Sequence, residues 1–159
     1  MNLRPVSLLA ALLLLAACAE TPKSEGPATG GGQASTSSGV VAGSKQDFIQ
    51  NAGDRVFFAF DHSDITPESQ ATLQRQADWL KKYANVTVTV EGHCDDRGTR
   101  EYNLALGERR AAAVKRVLVA LGVAGNRIQT ISYGKERPIV VGDNEQAWAQ
   151  NRVGITIIN

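Results

Sequence analysis

The sequence predicts an α/β sandwich, one sheet with helices packed on it. Apolar runs of strand type (55–60, 86–91, 127–133 and 153–158) alternate along the chain with runs of helical spacing (67–83 and 102–121). Gly, Pro, Asn and Asp sit between them as turn residues. The chain has 159 residues, 43% hydrophobic and 21% charged, which suits one globular domain with appendages.

Before the domain comes an address. Arg4 is followed by a nearly unbroken apolar run from 6 to 17, a charged start and a short apolar core. A spanning helix needs roughly 20 such residues, so this run reads as a signal peptide, residues 1–17. Its end, Leu15-Ala16-Ala17-Cys18, resembles a bacterial lipobox. That resemblance implies cleavage before Cys18 and acylation of its thiol. Ala19 stands where an aspartate would retain a lipoprotein at the inner membrane, which implies the outer membrane. Several acyl chains, at about 0.8 kcal/mol per buried methylene, make a lasting anchor.

Residues 18–46 are rich in Gly, Ser, Thr, Pro and Ala and poor in anything that builds a core. They are expected to form a disordered tether. A flexible coil of this length averages about 30 Å end to end and stretches to roughly 90 Å. The domain is expected over 47–159, enough for one modest core.

The first strand, R-V-F-F-A-F at 55–60, has apolar residues on both faces and is expected to be covered on both. A polar turn, Asp61-His62-Ser63-Asp64, ends it. Thr66 and Pro67 make a cap and first position for a helix. Its stripe is Leu73, Ala77 and Leu80, flanked by Trp79 or Tyr83. The second strand is expected at 86–91. The second helix is expected at 102–121, closed by Gly122, with a stripe of Leu106, Ala113 or Val114, Val117 and Leu121. A third strand (127–133), a loop with Pro138, a helical turn (145–150) and a last strand (153–158) complete the domain. Trp79 and Trp148 read as packing, and Glu108-Arg109 as a solvated face.

Net charge is +1 and no long basic run occurs, so there is no electrostatic case for nucleic acid. Cys18 and Cys94 lie in such different contexts that they offer no disulfide framework.

The chemistry concentrates at 91–111, E-G-H-C-D-D-R-G-T-R-E-Y-N-L-A-L-G-E-R-R-A. Asn103, Leu106 and Arg110 share one face of the second helix. The loop after the second strand lies beside that helix's amino end, so Asp95 or Asp96 can stand near Arg110. A carboxylate and a guanidinium so placed have two uses. They pair with each other and hold the loop, or they take the ammonium and carboxylate of a zwitterion between them. Phe60 and Leu106 would pack its methylene stem. Spacing alone leaves both open. A third reading makes Cys94 with His93 a thiol or metal centre of a hydrolase. Neighbours on a strand end point apart, and His62, His93 and Cys94 are a poor zinc set.

F-x-F-D-H-S at 58–63, the run from 90 to 111, S-Y-G-K-E-R-P at 132–138 and N-R-V at 151–153 resemble, in order and spacing, the OmpA-like peptidoglycan-binding domain. The resemblance covers about 55–158. It implies a two-layer sandwich with a four-stranded mixed sheet. It also implies noncovalent binding of the meso-diaminopimelate arm of the wall peptide, no cleavage and no cofactor. Asp95 would hold the ligand's ammonium and Arg110 its carboxylate. Asn103, Tyr102 and Leu106 would line the pocket, with Phe60, Asp61 and Ser63 opposite and Arg152 flanking. Val153 replaces a frequent family arginine. The implied partners are peptidoglycan, the outer membrane through the lipid, and TolB with other Tol proteins.

Overall fold

The computed structural model describes residues 39–159. The signal segment, Cys18 and most of the tether lie outside the described residues.

The first element starts ahead of the expected boundary at 47. Helix α1 spans Lys45–Asn51, and the Ser44 side chain accepts the Asp47 N–H at 3.2 Å. In return the Asp47 carboxylate accepts the Gly43 N–H at 2.8 Å, so one short sequence satisfies two donors at the helix start. Asp47 also accepts Trp79 Nε1–H at 2.9 Å. Phe48 packs edge-on against the Trp79 ring, 5.0 Å between centroids, and is wholly buried. These contacts fasten α1 to the next helix.

Strand β1 is Arg55–Phe57, three residues rather than six, and it is not covered on both faces. The sheet order is β1-β4-β2-β3, which puts β1 at an edge. Val56 faces the core, whereas Phe57 is 41% exposed. One further bond, Phe58 N–H to the Arg152 carbonyl at 2.9 Å, carries the chain past the strand. It then turns at Asp61, whose φ of 62° is unusual for a residue with a Cβ.

Helix α2 (Pro67–Lys82) starts as its sequence requires: Thr66 Oγ1 accepts the Ser69 N–H and Pro67 takes the first turn. Leu73, Ala77 and Leu80 are fully buried, and Trp79 joins them. Strand β2 is Val88–His93, displaced two residues from the expected 86–91. Val86 belongs to the preceding turn, where its N–H bonds the Tyr83 carbonyl. β2 pairs antiparallel with β4 (Val153–Ile158) and parallel with β3 (Ile128–Gly134). A parallel pair needs a crossover, and helix α3 (Arg100–Ala120) supplies it. The sheet is therefore mixed, as expected.

Helix α3 begins two residues early because Thr99 caps it, accepting the Tyr102 N–H at 3.2 Å. Gly122, with φ of 98°, follows its end. Leu106, Ala113 and Val114 are buried, but the stripe continues through Leu118 rather than Val117 and Leu121, which are half-buried. α3 lies close on the sheet. A Cβ at Gly92 would stand 1.9 Å from the Gly107 carbonyl oxygen, and one at Gly107 would stand 2.3 Å from Ser132 Oγ. Two glycines set that spacing. A short 3-10 turn, Gly125–Arg127, leads into β3, where Arg127 ties the carbonyls of Leu80, Tyr83 and Val86. Helix α4 (Glu145–Asn151), capped by Asn144, precedes β4.

Among the described residues, no helix is long and apolar enough to cross a membrane.

Candidate functional site

At the carboxyl end of β2, the chain leaves the sheet through 94–99 and enters α3. The turn after β1 comes up opposite. Between them is a cleft of about 160 Å³ lined by Phe60, Asp61, Asp95, Tyr102, Asn103, Leu106 and Arg110, together with Cys94, Arg97 and Gly98.

Seven expected residues meet here. Arg110 is completely buried on α3 and donates three hydrogen bonds to carbonyls: Nε to His62 at 2.9 Å, Nη1 to His93 at 2.8 Å and Nη2 to Ala59 at 3.1 Å. One guanidinium thus ties the β1 turn to the end of β2 and positions both walls. Burial lowers its pKa. Asn103 is spent on the loop, its Nδ2 donating to the carbonyls of Arg97 (2.8 Å) and Thr99 (3.0 Å). Tyr102 stands half-exposed at the rim and donates its hydroxyl to the Asp61 carboxylate, which raises the phenol's pKa. Leu106 forms an apolar floor and Phe60, 53% exposed, an apolar wall.

Of the two candidate carboxylates, Asp95 lines the cleft; Asp96 lines a separate hollow with Lys135 and Pro138. Asp95 is 4% exposed. Its ion-pair partners are not Arg110 but Arg97 (Nη2 to Oδ2, 2.6 Å) and Arg152 (Nη1 to Oδ2, 3.3 Å). Arg152 lies behind the acid, where it also donates to the Phe58 carbonyl at 3.2 Å and to Glu145 at 2.7 Å.

Ser63 is a correction. It lines a different surface groove, with Asp64, Ile65, Ala113, Arg116 and Val117. The turn at Asp61 carries the chain away from the cleft before residue 63. Val153 is fully buried in the sheet opposite Phe57, so that position adds no contact to the cleft.

Sequence reasoning missed Arg97. Its guanidinium lies between two aromatic rings, 3.9 Å from the Phe60 centroid and 4.2 Å from that of Trp148. Trp148 was expected only to pack. No local pattern signals a sandwich whose three parts come from three distant segments. The arginine's place between Asp95 and Gly98 was its one available mark.

His93 and Cys94 do not form a thiol–imidazole pair. The His93 ring nitrogens face the Arg137 carbonyl (3.0 Å) and the Glu91 carboxylate (3.4 Å). The Cys94 thiol donates to the Asn103 carbonyl at 3.3 Å, and burial pushes its pKa up to about 11. A nucleophilic thiol needs the opposite shift. Among the described residues, no group of three or more His, Cys, Asp or Glu side chains is placed to hold a metal.

Residues 57–152 match the model of the OmpA family. The chain is 52% identical over 146 residues to the "Peptidoglycan-associated lipoprotein" of Rhizobium meliloti, covering 92% of this chain and 82% of the relative. It is 50% identical over 116 residues to the protein of that name in Pseudomonas aeruginosa, covering 72% and 68%. Among solved structures, it resembles the peptidoglycan-associated lipoprotein from Burkholderia pseudomallei, with a TM-score of 0.65 at 42% identity over 67% of this chain and 90% of that one. It also resembles the C-terminal domain of Helicobacter pylori MotB, with a TM-score of 0.63 at 25% identity over 67% and 84%. With the matched segment running from the last residue of β1 to the residue before β4 and containing every residue that lines the cleft, this chain belongs to the OmpA family.

Proposed function

We propose that this chain is an outer-membrane lipoprotein that grips peptidoglycan without cleaving it. Its cleft takes the free amino-acid end of meso-diaminopimelate in the stem peptide. The ammonium goes to Asp95, the carboxylate to Arg110, and the methylene stem lies between Phe60 and Leu106. One observation carries this reading: a carboxylate and a guanidinium that are not paired with each other line the same apolar-walled cleft. Either charge alone would attract a simple ion, and the two together suit a zwitterion. The names of the relatives point to the same wall polymer. The raised pKa of the buried Cys94 thiol speaks against a thiol-dependent hydrolase.

A single charge-assisted hydrogen bond contributes about 1.5–3 kcal/mol, so one cleft is a modest hold. An acylated Cys18 and a flexible tether over 18–46 make wall capture intramolecular and raise the effective concentration. The domain then works in the periplasm. The Tol proteins, TolB first, are its expected protein partners, and they compete with the wall if they cover the cleft mouth.

The test is a calorimetric titration of the full-length protein with L-alanyl-γ-D-glutamyl-meso-diaminopimelate. Asp95→Asn keeps the shape and removes the charge, and it should weaken binding at least about tenfold. Unchanged affinity would remove Asp95 from the site. Mass spectrometry of the mature amino terminus tests the anchor separately, and an unmodified Cys18 thiol refutes it.

A further inference from the structure

One carboxylate oxygen of Asp95 is already occupied. Arg97 holds its Oδ2 at 2.6 Å and Arg152 approaches the same oxygen at 3.3 Å. Arg110 adds a third guanidinium to the same neighbourhood. A bare ammonium arriving at this carboxylate therefore meets a surplus of positive charge unless one arginine leaves.

The three arginines are not equally free to leave. The Arg110 side chain is tied to three carbonyls. The Arg152 side chain is tied to the Phe58 carbonyl and Glu145 and is 9% exposed. The Arg97 side chain is 32% exposed and, beyond Asp95, has among the described residues only a distant ion pair to Glu145 at 3.9 Å and the two rings it lies between. Its Nε is buried without a hydrogen-bond partner among the described residues. Its backbone is fixed, because its carbonyl accepts from Asn103, so any movement is the side chain's.

We propose that Arg97 sets the cleft's preference for a zwitterion over a simple ammonium, as the displaceable counter-ion of Asp95. The inference rests on the reading of the cleft given above. The incoming ammonium takes Asp95 and releases the Arg97 guanidinium. A ligand that also carries a carboxylate shares it between Arg110 and the released Arg97 guanidinium, both of which line the cleft, and offers the orphan Nε–H an acceptor. A ligand with an ammonium alone leaves it uncompensated beside Arg110 and Arg152. Charge is conserved in the first exchange and stranded in the second. Until Arg97 moves, Oδ2 of Asp95 is covered, and the apparent affinity of a ligand that needs this oxygen is scaled down to the fraction of molecules in which it is free.

Two tripeptides isolate the effect. Both begin L-alanyl-γ-D-glutamyl; one ends in meso-diaminopimelate and the other in L-lysine, which lacks only the distal carboxylate. Their affinities are measured by calorimetry on the full-length protein and on Arg97→Met, Arg97→Gln and Asp95→Asn. The parent should favour the diaminopimelate peptide. Loss of Arg97 should tighten the lysine peptide and compress that preference about tenfold, the equivalent of one charge-assisted bond. A preference unchanged within about twofold in a folded Arg97 variant, while Asp95→Asn loses binding, overturns the role of Arg97 alone. If Arg97→Met does not fold, Arg97→Gln, which retains a polar head, supplies the same comparison. Unchanged binding of the diaminopimelate peptide by Asp95→Asn overturns the cleft reading itself and this inference with it.

Discussion

Arg110 is expected to matter as much for stability as for binding, and Arg110→Met separates the two. Methionine roughly fills the stem's space but donates nothing. The His93 carbonyl, bonded to Nη1 within the buried interior, is then left without a donor, at about 1–3 kcal/mol. The Ala59 and His62 carbonyls lie nearer solvent and recover water, each losing about 0.5–1.5 kcal/mol. The total is about 2–6 kcal/mol. It is offset in part because a charge whose burial already lowers its pKa no longer needs to be buried. A net loss of about 3 kcal/mol follows, read as a drop in Tm of about 10–20 °C. Urea unfolding of the full-length chain measures it. A loss below about 1 kcal/mol at an unchanged m-value would mean that Arg110 does not organise these walls. Weak peptide binding by an Arg110 variant is therefore not enough to prove ligand contact, which is why Asp95→Asn carries the functional test.

Three further outcomes follow from packing, capping and titration. Gly92→Ala should cost about 3 kcal/mol or more, because the new Cβ would lie 1.9 Å from the Gly107 carbonyl and must push α3 off the sheet; a chemical-denaturation midpoint close to the parent's would refute it. Thr99→Ala removes the cap of α3 and should cost about 1 kcal/mol in the same assay, whereas Thr99→Ser should restore nearly all of it. The Cys94 pKa of about 11 lies above the ordinary thiol value of 9.0, so the folded state holds the proton longer than the unfolded chain. That contribution is complete below pH 9 and is lost as pH rises toward 11. It amounts to about 2–3 kcal/mol, and the extra fall should vanish in Cys94→Ala when unfolding is followed from pH 8 to 11.

Local chemistry was legible wherever it acts over one turn. Thr66-Pro67 started α2 at the expected residue, and the α2 stripe is buried as its spacing required. Strand β4 runs over the expected 153–158. Where a boundary depends on a partner, the reading slipped. Phe57 and Ala59 looked like a second buried face of β1, yet both are exposed, because apolar residues say nothing about which strand lies at the edge. β2 ran on through Gly92 and His93 because strands on both sides reach Gly92 and β3 continues to pair with His93. Helix α1 went unseen because its apolar anchors, Phe48 and the Ala52 that ends it, are too few for periodicity to register. Its polar sequence Ser44-Lys45-Gln46-Asp47 looks like tether until Trp79 is known to lie over Asp47.

At the site, the residues of a single motif were legible and their pairing was not. Asn103, Leu106 and Arg110 do share a face, and Asp95 does line their cleft. The acid's actual partners are Arg97, which looked like turn chemistry, and Arg152, more than fifty residues away in sequence. The difference changes the energetics. An acid facing only Arg110 would gain a counter-ion when ammonium arrives. An acid already bonded to Arg97 and Arg152 exchanges one cation for another and gains only the difference. If the proposed exchange holds, such a site would discriminate through what becomes of the displaced charge, and its preference would depend on the ligand's second group as much as its first. Removing the arginine that moves should leave a cleft that still binds and chooses less well.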